Sequence, residues 1–469
     1  MSLDNLTVRP GTAPSELAFS GPLEPRETQH GRAEPELQLL ASPPLAGARE
    51  AQAVSRSGIA LALYANLDEI AAQWKSFERH ADRTVFASFD WLAAWQRHSG
   101  AARGTRPAIV VGRELDGEIL FILQLAIEST GPIRRLTWLG SHICDYNAPL
   151  LASHFSARVS AARFYLVWRH TIELLRSQDD FRFDLIDLEK MPECVGEQRN
   201  PFLDLHVSAH PSGAYVANLG DDWEALYGAK RSASTRKRER RQLRQLAQHG
   251  DVRFVELQGG CEEDSERTRT LTTLFDQKSQ AFARMGVDDP FLHPGHRAFF
   301  LGVASDPGLR GVIHISRLDV GQEIAAAAVG LKFRDCYYLI LSSYGDGELA
   351  RCGPGRAHLH ELLQHAIAQD YRHFDFTVGD EPYKRDWADT ELKLYDYLHA
   401  GSARGWLMAA TLAQFRRIKR LIKQSPRLWQ AFSKARAFAA SLTSRASGFF
   451  RSMPGSSPRA TGGPTTPVE

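Results

Sequence analysis

LARCGPGRAHLHELLQHAIAQD, Leu349 to Asp370, sets two glycines around a proline and runs straight into an amphipathic stretch. Gly353 and Gly355 let the backbone turn its N–H groups inward with no Cβ in the way, and Pro354 stiffens the turn. A helix from about Arg356 adds the positive end of its dipole, which makes the turn a candidate anion site. Arg351 and Arg356 would supply charge-assisted contacts to such an anion. A Gly-Pro-Gly turn before a helix is also an ordinary loop. The order of elements around it decides between the two.

That order occurs twice. RPAIVVGRELDGEILFILQLAIE (106–128) reads as strand, Asp116-Gly117 hairpin turn and strand, and GVIHISRLDVGQEIAAAAVGLKF (311–333) echoes it with a turn near Gly321. Helix-like FDWLAAWQRH (89–98) and HRAFFLGVA (296–304) precede the two hairpins; strand-like RRLTWLG (134–140) and DCYYLILSSY (335–344) follow them. Further on, TIELLRSQDDFRFDLIDLEKMPE (171–193) matches LLQHAIAQDYRHFDFTVGDEPYK (362–384), each a helix, a polar turn and an apolar strand containing Phe-Asp. Four elements recurring in one order predict two similar α+β domains in tandem, at about 58–210 and 211–400. Only the second carries the glycine loop. The first continues SHICDYNAPLL (141–151) at that point, so one anion site per chain is expected.

Composition bounds the rest. A chain of 469 residues, 43% hydrophobic, has room for two or three packed domains. No apolar run approaches the roughly 18 residues that span a bilayer, and the N-terminus lacks the basic start and apolar core of a signal peptide, so a cytoplasmic protein is expected. Residues 1–57 and 452–469, rich in Pro, Gly, Ala and Ser, read as disordered. The five cysteines, Cys144, Cys194, Cys261, Cys336 and Cys352, form no C-x-x-C pair, which argues against a disulfide framework or a zinc site. His358, His360 and His365 have no carboxylate or cysteine at ligand spacing and read as ordinary helix residues. No metal is expected.

The block YGDGELARCGPGRAHLHELLQHAIAQDYRHFDFTVGDEPYKRDWAD (344–389) carries a resemblance. Strand, hairpin, strand, strand, phosphate-type loop, helix and strand resemble the acetyltransferase fold of the GNAT superfamily, in which the loop after the fourth strand holds a pyrophosphate. Tyr344, Pro354, Gly355, Phe374, Asp375, Phe376, Gly379, Asp380, Glu381, Tyr383, Lys384 and Trp387 stand where the CelD-type acetyltransferases of bacterial cellulose and exopolysaccharide synthesis have their C-terminal signature. These are relatives of the tandem Fem-type aminoacyltransferases. Gly353 directly before the Pro-Gly, and Cys352, depart from that pattern without threatening the loop.

The resemblance implies an acyl-CoA, acetyl-CoA in the first instance, whose pyrophosphate lies on the amides around Gly353 to Arg356. Its pantetheine would run along the strand Tyr337 to Ser343, past Leu341, Ser342 and Ser343. A thioester needs positioning, a base for the attacking group and an acid for the thiolate. Tyr383 is the candidate acid, Asp380 or Glu381 the candidate base, and Lys384 the candidate holder of an acidic substrate or an oxyanion. In a Gly-Asp-Glu-Pro turn, Asp380 and Glu381 could equally cap backbone N–H groups. The implied activity is N- or O-acyl transfer in a bacterial envelope or exopolysaccharide pathway. A Fem-like transferase using aminoacyl-tRNA, and an inactive scaffold at a membrane-bound polysaccharide synthase, compete with it.

Two basic segments remain. Ala229 to Gly250 holds eight Lys/Arg from Lys230 to Arg244 against one Glu; charge runs are usually solvated helix faces, and nucleic acid is the less economical partner. Gly401 to Arg451 has eleven Lys/Arg and no Asp or Glu, leaving 46 basic against 55 acidic residues elsewhere. It reads as two amphipathic helices broken at Ser425-Pro426, suited either to an anionic membrane at the inner face or to packing on the acidic remainder.

Overall fold

The computed structural model describes residues 51–54, 57–257, 263–293 and 295–424. Disorder expected before residue 51 and after residue 451, and the second tail helix, lie outside the described residues. Residues 51–54 differ from that expectation: they form a strand at the edge of the first sheet.

The strands in chain order are β1 (Ala51–Val54), β2 (Ala60–Tyr64), β3 (Arg106–Arg113), β4 (Ile119–Thr130), β5 (Ile133–Trp138), β6 (Leu150–Leu151), β7 (Leu185–Pro192), β8 (Cys194–Val195), β9 (Gln198–Arg199) and β10 (Ser208–Ala209). They continue with β11 (Ala214–Asn218), β12 (Val252–Leu257), β13 (Ile313–Val320), β14 (Glu323–Phe333), β15 (Cys336–Tyr344), β16 (His373–Val378), β17 (Thr390–Leu392) and β18 (Leu394–Ala400). The helices are α1 (Leu67–Phe77), α2 (Phe89–Trp95), α3 (Phe155–Arg158), α4 (Ala161–Ser177), α5 (Trp223–Lys230), α6 (Ala233–Ala247), α7 (Asp264–Met285), α8 (His296–Ser305), α9 (Pro354–Ala368), α10 (Pro382–Trp387) and α11 (Ala403–Gln424).

The repeat is present in the fold. One sheet runs β1-β2-β3-β4-β5-β7-β18-β10, the other β12-β13-β14-β15-β16-β11-β17. In each, an antiparallel meander ends in a strand that pairs in parallel, across a helical crossover, with the next: β5 with β7 over α4, and β15 with β16 over α9. The hairpin turns lie where the sequence placed them, with Gly117 at φ 93° and Gly321 at φ 60°. Equivalent helices of the two repeats meet, α2 against α8, with Trp91 edge-on to Phe299 at 4.9 Å between ring centres. The apolar core there draws on both halves.

The last strand of each repeat is exchanged. β11, which precedes the second repeat, pairs with β16; β18, within the stretch read from sequence as the second domain, pairs with β7 of the first sheet. Both receiving strands carry a bulge with a residue in the left-handed region, Lys190 (φ 58°) in β7 and Thr377 (φ 57°) in β16. A β-branched residue in that region is unusual and is held only by its surroundings. Here the Thr377 N–H donates to Asp375 Oδ1 (2.7 Å) and its hydroxyl to the Leu339 carbonyl (3.1 Å).

Candidate active site

The bulge has a consequence for β15. Its pairing with β16 stops at Tyr338 opposite Asp375, while its other edge stays bonded to β14 as far as Tyr344. β15 itself bulges at Ile340, between the partners of Val329 and Gly330. From Leu341 to Ser343 one strand edge therefore faces a gap and not a neighbouring strand. Thr377 fills the start of that gap by bonding Leu339. Ser343 turns away and donates to Gln277 of α7 at 2.8 Å. Ser342 faces across the gap to Tyr383 of α10, within hydrogen-bonding reach of its phenol.

After Tyr344 the chain makes a short 3-10 turn, Glu348–Cys352, and reverses at Gly353, whose φ of 72° suits glycine. α9 starts at Pro354, two residues before the expected start, because a proline is at ease in the first helical position, where no N–H is needed. The amides divide unevenly. Arg356 N–H already bonds the Gly353 carbonyl and Gly353 N–H the Ala350 carbonyl, both at 3.1 Å. Gly355 is at the second helical position, where the helix itself offers no carbonyl. Its open side lies under the Tyr344 ring, 2.8 Å from where a Cβ would stand. Arg351 is exposed, beside Glu348 at 3.9 Å. Arg356 is turned back onto α6, against Glu239 at 3.6 Å and Gln242. A groove of about 180 Å³ lies between α5, α6 and the start of α9, with Trp223, Tyr227, Arg236, Arg240 and Gly353 in its walls.

At the mouth of the gap the structure separates the two carboxylates that sequence could not rank. Glu381 pairs with Lys384 at 3.2 Å, and the Lys384 ammonium also donates to the Val378 carbonyl at 2.9 Å. Gly379 makes room for them: a Cβ there would stand 2.2 Å from Glu381 Oε2. Asp380 instead acts on Arg385 and Tyr215, where the Arg385 Nε donates to the tyrosine oxygen at 2.9 Å. Burial pushes the Tyr383 phenol up, with the Glu381 charge adding to it, so the group stays protonated over the working pH range.

Three further groups reach this place that the sequence reading did not select. Lys278 of α7 feels Glu381, Lys384 and Asp145, and burial pulls its pKa down. Asp145 comes from the first repeat, where burial pushes its carboxyl up; it hydrogen-bonds Thr377. Its neighbour Tyr146 donates to both oxygens of Asp375, at 2.7 and 2.8 Å. Burial raises the Asp375 carboxyl to about 7 against the lowering effect of that bond. Asp145 and Tyr146 occupy the position of the glycine loop in the first repeat. Their one visible signal was that a loop lacking glycines stood where its counterpart had them.

The histidines divide as well. His358 is buried on Ser316 (3.0 Å) and burial lowers it to about 3; His360 sits among Trp223, Tyr227 and Trp387. His365 lies with His314 and Glu256, their donor atoms within 4.8 Å of one another. The two imidazoles stack at 4.7 Å with 16° between planes, and His314 Nδ1 is engaged by the Tyr337 hydroxyl at 2.7 Å.

Comparison with known proteins follows this geometry. Residues 233–385, a third of the chain, match the family model described as the acetyltransferase (GNAT) domain. They run from α6 to α10 and contain the loop and the gap. No match was found among curated proteins. Among solved structures, the chain is similar to FemX (8% identity, TM-score 0.48, covering 70% of this chain and 96% of that one). It is also similar to a conserved protein of unknown function from Bacteroides thetaiotaomicron (13%, 0.46, 72% and 98%). A third is a tandem GNAT protein from the clavulanic acid biosynthesis pathway (14%, 0.39, 72% and 98%). The fold class is mixed α/β with two similar repeats in tandem. The stretch that matches the GNAT domain model lies within the second repeat.

Proposed function

We propose that the protein moves an acyl group, acetyl in the first instance, from coenzyme A to an amine or hydroxyl acceptor. The observation that carries this is the gap between β15 and β16, which opens at Leu339 and leads to the loop that ends at Gly353. An extended pantetheine can add to the free edge at Leu341 to Ser343 as a missing strand would. The pyrophosphate then falls at the start of α9, on the amide of Gly355 and those of the preceding turn. The aromatic and arginine walls of the adjoining groove suit the nucleotide end.

The chemistry requires few groups. The acceptor attacks the thioester carbonyl and gives its proton to Glu381; the C–S bond breaks as the carbonyl re-forms, and the thiolate leaves, to be protonated by the solvent. Tyr383, protonated and across the gap from Ser342, donates a hydrogen bond to the departing sulfur. Lys384 and Lys278 place positive charge where the tetrahedral oxyanion forms. Asp145 brings the first repeat to the acceptor side. The likeness of residues 344–389 to the cellulose- and exopolysaccharide-associated acetyltransferases supports an envelope saccharide as acceptor, with the enzyme at the inner face of the membrane.

Tyr383→Phe tests the reading. A hydrogen bond used only as charge develops on sulfur affects turnover and not ground-state binding. Thiol release from acetyl-CoA in the presence of amino-sugar acceptors should fall about tenfold to a hundredfold, the worth of one hydrogen bond to a charged atom, with acetyl-CoA affinity within twofold of the parent. Equal turnover would remove Tyr383 from the reaction; lost affinity would make it a packing residue of the gap.

A further inference from the structure

α11 sits on the protein the wrong way round for an ordinary surface helix, which buries its apolar stripe and shows its charges to water. Arg416 is buried against β7 and β18, its guanidinium donating to Asp187 Oδ1 and Oδ2 (2.7 and 2.9 Å), pairing with Glu189 and lying 3.7 Å from Asp396. Arg404 pairs with Asp184 at 3.1 Å, and Arg420 donates to the Ala209 carbonyl. Gly405 is buried beneath, where a Cβ would stand 1.6 Å from the Asp184 carbonyl oxygen, so the helix backbone lies directly on the first repeat. The helix docks by its arginines, on carboxylates of the acidic remainder.

Its other side is apolar and uncovered. Trp406 (65% exposed), Leu407 (65%), Phe415 (63%), Ile418 (55%) and Leu421 (57%) project outward. At 100° per residue these five fall within one half of the helix, Ala410, Thr411 and Gln414 lie among them, and Gly405, Leu412 and Arg416 lie opposite. The face runs for roughly 22 Å along the axis.

We propose that this face is a membrane-docking surface, on which the helix lies flat in the headgroup region of an anionic bilayer while its arginine side stays clamped to the first repeat. Charge argues for lipid over a protein partner. From Gly401 to Arg451 there is no acidic residue, and exposed Arg417 lies within the same half of the helix, in angle between Trp406 and Leu421. A helix with one apolar side and basic flanks partitions into an anionic interface. No helix among the described residues is long and apolar enough to cross a membrane, so the contact is one of lying on the surface. The geometry of α11 alone carries the inference, which stands or falls apart from the acyl-CoA reading.

The test uses the full chain in flotation with vesicles of phosphatidylcholine alone and of phosphatidylcholine with one quarter phosphatidylglycerol. The parent should float with the anionic vesicles and keep part of its binding in 0.5 M salt, because screening weakens the charge contribution and leaves the apolar one. The double variant Leu407→Glu/Ile418→Glu should lose at least tenfold in partitioning with an unchanged melting temperature, since both side chains touch solvent. Its acetyl-CoA affinity should also be unchanged. Four results would overturn the proposal. The first is a parent that floats with neither vesicle, and the second a double variant that floats as well as the parent. The third is a dimer in light scattering that the double variant abolishes, making a second copy the occupant. The fourth is floating that begins only when residues 425–469 are deleted, making that segment the cover.

Discussion

Replacing Gly355 with valine is expected to weaken acetyl-CoA binding about a hundredfold, roughly 3 kcal/mol, while leaving the protein folded. Valine is a better helix former than glycine, so the exchange gains a few tenths of a kcal/mol in propensity. The one contact it forces is with the Tyr344 ring, 2.8 Å from the new Cβ, and that ring is half exposed at the end of its strand and free to swing. A phosphate has no such freedom, because it must approach the Gly355 amide along the side the new methyl groups crowd. Calorimetric titration reads the loss directly. The double variant Gly355→Val/Tyr344→Ala separates the causes: if backbone approach is what matters, removing the ring restores nothing. Recovery of affinity in the double variant would show that the ring had been displaced into the site.

Glu381→Gln should lower turnover by about a hundredfold or more, the usual contribution of a positioned general base, while Asp380→Asn stays within a few-fold of the parent. The two carboxylates are adjacent in sequence but face different partners. Glu381 is joined to Lys384 and acts on Lys278 at the mouth of the gap; Asp380 acts on the Arg385–Tyr215 pair. Comparing kcat for the two variants at saturating acetyl-CoA decides it. Equal losses would mean that the turn acts as a rigid unit, and a larger loss for Asp380→Asn would reverse the roles.

The repeat, the loop and the Gly-Asp-Glu-Pro-Tyr-Lys block were legible because each is a local pattern: period-two strands, a glycine turn before a helix, a dense polar motif. Tyr383 and Lys384 stand out through the resemblance of that block, and the fold puts Tyr383 beside Ser342 and Lys384 beside Glu381. What depends on long-range pairing was not legible. β18, seven residues within the stretch read as the second domain, joins the first sheet beside β7, and nothing within LYDYLHA names that partner. Lys278 lies in an ordinary polar helix, and its nearness to Glu381 arises only when α7 covers β14 and β15. Arg356 read as an anion contact by position; the fold gives its guanidinium to Glu239 and Gln242. The tail shows the same limit. Its charge count foresaw a basic helix near acidic partners, but only the placement of Asp184, Asp187, Glu189 and Asp396 decides that the basic side is the one that docks.

The central claim is that one of two similar repeats holds one acyl-CoA, at the gap beside β15. Titration of the full chain with acetyl-CoA by calorimetry tests it most directly. One saturable site per chain, lost in Gly355→Val, is the predicted result. No saturable binding, or two equivalent sites per chain, would contradict it.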